Sequence, residues 1–244
     1  MDGLARDIIA RLQRDILPLQ GFKNASHNLN INIGLHSIES SFPNSIFPTG
    51  CIHEFLTSSP EDVAASSGFI TALLSHLIQP NGVYIWISTS ENIFPLTLKR
   101  FGIDPHQIIF INLKNEKDVL WTIEETLKCE RLTAVVGEVK EIDFTESRRL
   151  QLATEKSRVT GFIIRNQARI INTTACIARW RIISLASELS DGMPGVGFPR
   201  WNTELLKVRN GSTGNWKVEW AANQFRNIEE NIFSIQQEQR RKTG

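Results

Sequence analysis

Four short apolar runs, spaced by segments of helical pattern, constrain this chain more than any other feature of it. Gly82 to Ser88 reads Gly-Val-Tyr-Ile-Trp-Ile-Ser, Gln107 to Leu113 reads Gln-Ile-Ile-Phe-Ile-Asn-Leu, Thr133 to Val139 reads Thr-Ala-Val-Val-Gly-Glu-Val, and Thr160 to Arg165 closes the series. Such runs belong to strands buried on both faces. Between them, Leu96 to Phe101 is a short helix ended by Gly102, Asp118 caps a helix with Val119, Leu120, Ile123 and Leu127 at helical spacing, and Phe144 to Arg158 is a charged helix. Strands alternating with helices in this way specify an α/β fold, a mostly parallel, doubly wound sheet flanked by helices with right-handed crossovers.

The segment Gly50 to Gln79 opens that series. Cys51 to Leu56 is a strand, Thr57 to Phe69 is rich in small residues, and Ile70 to Gln79 has the character of an amphipathic helix. An ATPase keeps its phosphate loop at such a place, and the chemistry there is specific. Glycines let backbone N–H groups turn toward phosphate oxygens, a Lys neutralises them, and a Ser or Thr hydroxyl holds Mg²⁺. Here Ser66, Ser67, Gly68 and Phe69 stand where Gly-Lys-Ser/Thr is required, and Glu61 and Asp62 bring like charge. The reading is a degenerate loop with no cofactor, no catalytic residue and no metal, in a protein that is not an enzyme. The Ala64 to Gly68 run then serves close packing of helix on sheet.

Around this core the chain divides into three parts. Residues 1–34 hold an N-terminal helix, Leu4 to Leu17, stopped by Pro18, and an Asn- and Ser-rich linker. Residues 35–222 form the core domain, entered through an extended stretch whose Pro43 and Pro48 exclude a helix. Beyond Arg165 the helices stop. Ala175 to Ser184, Thr203 to Arg209 and Asn215 to Trp220 read as antiparallel strands extending the sheet toward the C-terminus. Residues 223–244 are a polar helix and a basic tail ending in Arg240-Arg241-Lys242, with an apolar stripe of Ile228, Ile232, Phe233 and Ile235 that suits partner docking.

Composition excludes several function classes. No apolar run approaches the roughly 20 residues of a membrane helix, and the N-terminal charges are unlike a signal peptide, so a cytoplasmic location without membrane contact is expected. Cys51, Cys129 and Cys176 are far apart, with no spacing for a disulfide framework or zinc. His27, His36, His76 and His106 are isolated, and His53 and Glu54 are adjacent in a strand, so one is expected in the core and the other in solvent.

Charge is segregated beneath a net +1. Lys114 to Glu146 carries nine acidic and five basic residues, whereas Ser147 to Arg181 carries eight basic residues against Glu155. The expected partner or nucleic-acid surface is therefore basic: Arg148, Arg149, Arg165, Arg179, Arg181, Arg200, Trp201, Arg209, Arg240 and Arg241. Strand alternation places Trp180 inward with Arg179 and Arg181 exposed, and puts Trp201, beside the Gly- and Pro-rich loop Asp191 to Pro199, partly in solvent.

Several strings, in order from about Leu35 to Trp220, carry a resemblance. They are Phe42-Pro43-Asn44, Ile52-His53-Glu54-Phe55, Val135-Val136-Gly137-Glu138, Ser147-Arg148-Arg149-Leu150-Gln151-Leu152-Ala153, Ala178-Arg179-Trp180, Pro199-Arg200-Trp201 and Trp216-Lys217-Val218-Glu219-Trp220. The chain resembles the bacterial ImuA family, RecA-like proteins without a working ATPase loop and related to SulA. The resemblance implies a RecA-like fold and a non-catalytic adaptor role in SOS-type, DNA-damage-induced translesion synthesis and mutagenesis. The implied partners are ImuB, a Y-family polymerase homologue, and an error-prone replicative-type polymerase, with RecA a further candidate and DNA contact expected to be indirect. The DNA-contacting loop of RecA is cut here to Asn166 to Thr174. The alternatives it leaves are a SulA-like inhibitor of the tubulin-like division protein and a degenerate RecA-like nucleotide- or DNA-binding protein.

Overall fold

Nine strands hydrogen-bond into one sheet: β1 (Ile52–Leu56), β2 (Val83–Ser88), β3 (Ile108–Asn112), β4 (Leu132–Val139), β5 (Thr160–Arg165), β6 (Ala178–Leu185), β7 (Arg200–Val208), β8 (Gly214–Ala221) and β9 (Gln224–Asn227). Their spatial order is β3-β2-β4-β5-β1-β6-β7-β8-β9. The computed structural model describes residues 34–77, 82–90, 95–166, 171–188 and 197–228. The expected helix Leu4 to Leu17, Arg169, and the tail from residue 229 with Arg240 and Arg241 lie outside the described residues.

All pairings from β3 across to β6 are parallel, and β6, β7, β8 and β9 pair antiparallel. β1 therefore sits between β5 and β6, parallel to both. The expected antiparallel extension begins one strand later than the sequence reading put it. The connection from Arg165 to Ala178 crosses β1, and β6 enters in the same direction as β1. The strand at Gln224–Asn227 corrects the reading of residues 223–228 as helix. Its Phe225 is buried, and the turn at Ala222 and Asn223, both at positive φ, folds it back onto β8. The entry at residues 35–47 likewise contains a helical turn, His36–Glu39, because the prolines restrict only their immediate neighbourhood.

Among the described residues, three long helices cover the sheet. Helix α1 (Pro60–His76) packs against β6 on one face; α2 (Glu116–Leu127) lies over β4 and β2, and α3 (Phe144–Ser157) over β1 and β5 beside α2. Strand alternation divides the core accordingly. Phe55, Trp86, Phe162 and Trp180 face α1, whereas Ile52, Ile87, Val135 and Ile163 meet Val119, Ile123 and Leu150 of the opposite layer. Each fully buried large apolar side chain stabilises the fold by roughly 1.5–3 kcal/mol. Helix α3 starts in a capping box, with Asp143 accepting from the Glu146 N–H and Glu146 from the Asp143 N–H. Its end is Arg158 in the left-handed region.

Candidate functional site

The turn after β1 is three residues long. Helix α1 begins at Pro60, with Ser59 as its cap, Pro60 in the first turn and Glu61 and Asp62 beside it. Ser66, Ser67, Gly68 and Phe69 are thus helical, well inside α1, which corrects their reading as a loop. Ser66 and Phe69 are buried, and a Cβ on Gly68 would lie 3.3 Å from Cζ2 of Trp201, so this part of α1 closes on the sheet. The sequence signal for the real helix start was present in Ser59-Pro60-Glu61-Asp62.

Backbone donors around the start of α1 are taken by side chains of the same segment. Ser58 N–H donates to Asp62 Oδ2 at 3.0 Å, the Ser58 hydroxyl donates to the same oxygen at 2.5 Å, and Asp62 N–H donates to Ser59 Oγ at 3.2 Å. Bonding to its own backbone N–H and to Ser59 also holds the Glu61 carboxyl below the usual range. Two carboxylates therefore occupy the positive end of the helix where a phosphate would need to sit.

His53 and Glu54 are both fully buried, so the expectation of one solvated partner fails. β1 is central, with α1 over one face and α3 over the other, and neither face is left to water. His53 points toward α1. Its Nε2 lies 2.8 Å from the Pro48 carbonyl, which only accepts, and its Nδ1 lies 3.3 Å from Trp180 Nε1, which only donates. The ring is therefore the neutral Nε2–H tautomer, stacked on Phe47 at 4.6 Å. Burial pulls its pKa down to about 4.

Glu54 points the other way into a cluster of cations. Its Oε1 accepts from Arg165 Nη1 at 2.9 Å, and its Oε2 accepts from Arg179 Nε and Thr174 Oγ1, each at 2.7 Å. Arg165 also reaches Glu141 at 2.8 Å and Asn172 at 2.9 Å. Arg179, Lys207 and Arg209 donate to the carbonyls of Asn172, Thr174 and Ala175 at 2.7, 2.9 and 3.3 Å, fastening the segment between β5 and β6 onto the sheet. Burial and the nearby Arg179 hold Lys207 below the usual lysine range.

Of the expected basic surface, Arg165 and Arg179 are consequently internal, while Arg181, Arg200 and Arg209 are half-buried in contacts within the fold. Arg165 and Arg179 are buried against Glu54, Arg209 holds the crossing segment, Arg181 pairs with Glu204 at 3.2 Å, and Arg200 pairs with Glu219 and Glu188, each at 2.7 Å. Trp201 is buried too, edge-on to Phe69 at 5.7 Å, because its strand faces α1 at that register. Arg148 and Arg149 remain exposed on α3, with Arg149 paired to Glu124 of α2. The sequence reading missed what stands beside Arg148: Phe144 and Leu152, spaced four residues either side of it, are 55% and 47% exposed. Their spacing was visible in the string Phe144 to Leu152, but periodicity alone does not tell an outward apolar stripe from an inward one.

A further buried acid, Glu138 on β4, accepts from Trp86 Nε1 at 2.8 Å and from Asn166 Nδ2 at 3.4 Å, and burial raises its pKa. Among the described residues no group of three or more His, Cys, Asp or Glu is arranged to hold a metal, and no helix is long and apolar enough to cross a membrane.

No family model matches the chain. Protein ImuA of Caulobacter vibrioides, in strain NA1000 / CB15N and in strain ATCC 19089 / CIP 103742 / CB 15, is 30% identical over 198 residues, covering 76% of this chain and 81% of the relative. The crystal structure of SulA from Pseudomonas aeruginosa aligns with a TM-score of 0.41 at 18% identity, over 48% of this chain and 98% of that one. On the extent and identity of the match to the Caulobacter proteins, the chain belongs to the ImuA family.

Proposed function

We propose that this chain is a non-catalytic adaptor in DNA-damage-induced mutagenesis, assembling with an ImuB-type Y-family polymerase homologue and an error-prone replicative-type polymerase. Family membership supplies the pathway. The observation that carries the non-catalytic part is the N-terminus of α1, where Asp62 accepts from the Ser58 N–H and places a carboxylate where a phosphate-binding loop needs open N–H groups and a Lys. Function then resides on the outer surface, and the Phe144, Arg148 and Leu152 ridge of α3 has the apolar-plus-Arg character of a protein contact.

The test is co-purification of the tagged chain with the ImuB-type homologue and the polymerase, all three produced in one cell, using native protein and Phe144→Ser/Leu152→Ser. The native chain should retain the homologue, and the double variant should lose it while unfolding at the same temperature. Failure of the native chain to retain it, or retention of the tubulin-like division protein instead, would sink the reading.

A further inference from the structure

The outward face of α3 carries charge that the fold does not answer. The exposed residues of this helix are Phe144, Thr145, Arg148, Arg149, Leu152 and Lys156, a set with three cations and no carboxylate. Of the acids in the helix, Glu146 is bound into the capping box and Glu155 is half-buried. On α2, by contrast, Lys128 pairs with Glu124 at 3.3 Å and with Glu125 at 2.6 Å. Arg149 is taken by Glu124, but Arg148 and Lys156 have no ion pair among the described residues.

Phe144, Arg148, Leu152 and Lys156 follow one another at four-residue intervals, so they form one line along the helix. Apolar and cationic side chains alternate in it. At roughly 1.5 Å of rise per residue the line is about 18 Å long.

Resting on the adaptor reading above, we propose that this line docks an acidic segment of the ImuB-type homologue, whose apolar side chains cover Phe144 and Leu152 while its carboxylates meet Arg148 and Lys156. The apolar contacts supply affinity, and the opposite charges supply register and speed of encounter. Charge complementarity selects this occupant. A nucleic-acid backbone answers the two cations with phosphate and leaves Phe144 and Leu152 without an apolar contact. A second copy of this chain presenting the same face brings the same cations and no carboxylate.

Titration of the full chain with the purified ImuB-type homologue, at about 50 and about 300 mM KCl, tests this. Native binding should weaken by about tenfold or more from the lower salt to the higher. At the lower salt, affinity should fall from native to Arg148→Gln and again to Arg148→Glu, about threefold or more at each step, because the first loses an attraction and the second adds a repulsion. Lys156→Gln should act in the same direction as Arg148→Gln. Phe144→Ser should weaken binding at both salts and leave the salt dependence as it was. These side chains are exposed, so the unfolding temperatures should stay together. If Arg148→Glu binds as well as Arg148→Gln, or native binding does not respond to salt, the inference falls and the adaptor reading stands. No binding by the native chain at either salt sinks the adaptor reading and the inference with it. Arg148 and Lys156 variants that hold the homologue normally but lose a short DNA duplex would assign the line to nucleic acid instead.

Discussion

Glu54 Oε1 and Arg165 Nη1 lie 2.9 Å apart between neighbouring central strands, and neither side chain reaches solvent. With Arg179 also bonded to Glu54, one buried carboxylate is shared by two guanidinium groups, and Arg165 has Glu141 as a second partner. Removing it leaves Arg179 without its carboxylate, and a buried charge without its partner typically costs about 3–5 kcal/mol. Glu54→Gln should therefore lower the unfolding free energy, read from urea unfolding, by an amount in that range. A loss under about 1 kcal/mol would mean the arginines find water instead.

The buried His53 makes stability depend on pH. Its pKa falls from 6.5 unfolded to about 4 folded, so between those values the unfolded chain binds the extra proton. The contribution is present above pH 6.5 and is lost as pH falls toward 4, amounting to roughly 3 kcal/mol over the whole window. His76, also lowered by burial, acts in the same direction. Urea midpoints at several pH values should fall on acidification, and His53→Gln should flatten the slope.

Charge reversal on the surface and in the core should separate cleanly. Arg148→Glu alters an exposed side chain on α3 and is expected to weaken the polymerase-homologue complex while moving stability by no more than about 0.5 kcal/mol. Arg179→Glu should abolish folding, since it sets a second carboxylate against Glu54. Paired thermal unfolding and co-purification measurements read both effects; if the two variants behave alike, the inward assignment of Arg179 is wrong.

A backbone contact holds the entry segment to the far side of the sheet. Ser212 N–H donates to the Ser41 carbonyl at 2.9 Å, and a Cβ on the adjacent Gly211 would lie 2.2 Å from that oxygen. A carbonyl cannot rotate away as a side chain does. Gly211→Ala should destabilise by about 1–3 kcal/mol, and hydrogen exchange should rise at Ser212. Unchanged protection there would show that the segment shifts without cost.

Legibility in the sequence followed the range of the interactions. The strand at Thr160–Arg165 falls where the apolar run placed it, and α3 ends one residue before the expected Arg158, because hydrophobic period and caps act over a few residues. The start of α1 is announced by Ser59-Pro60-Glu61-Asp62, whereas the small residues up to Gly68, which read as a loop, already lie inside the helix. Arg179 and Arg181 share a strand face, as alternation requires, yet one is buried and the other is not. That difference comes from residues 171–177, which cross over Arg179 and leave Arg181 beside Glu204.

The sequence alone determined the alternating α/β core, its parallel centre, and the acidic first turn of the helix after β1, since each is written in consecutive residues. Only the tertiary structure decided where the charges point. Glu54 meets Arg165 and Arg179 across 111 and 125 positions of chain, and burial of a carboxylate obliges nearby cations to turn inward. No local pattern records that obligation, so Arg165 and Arg179, which read as surface residues, serve instead to hold the centre of the sheet together.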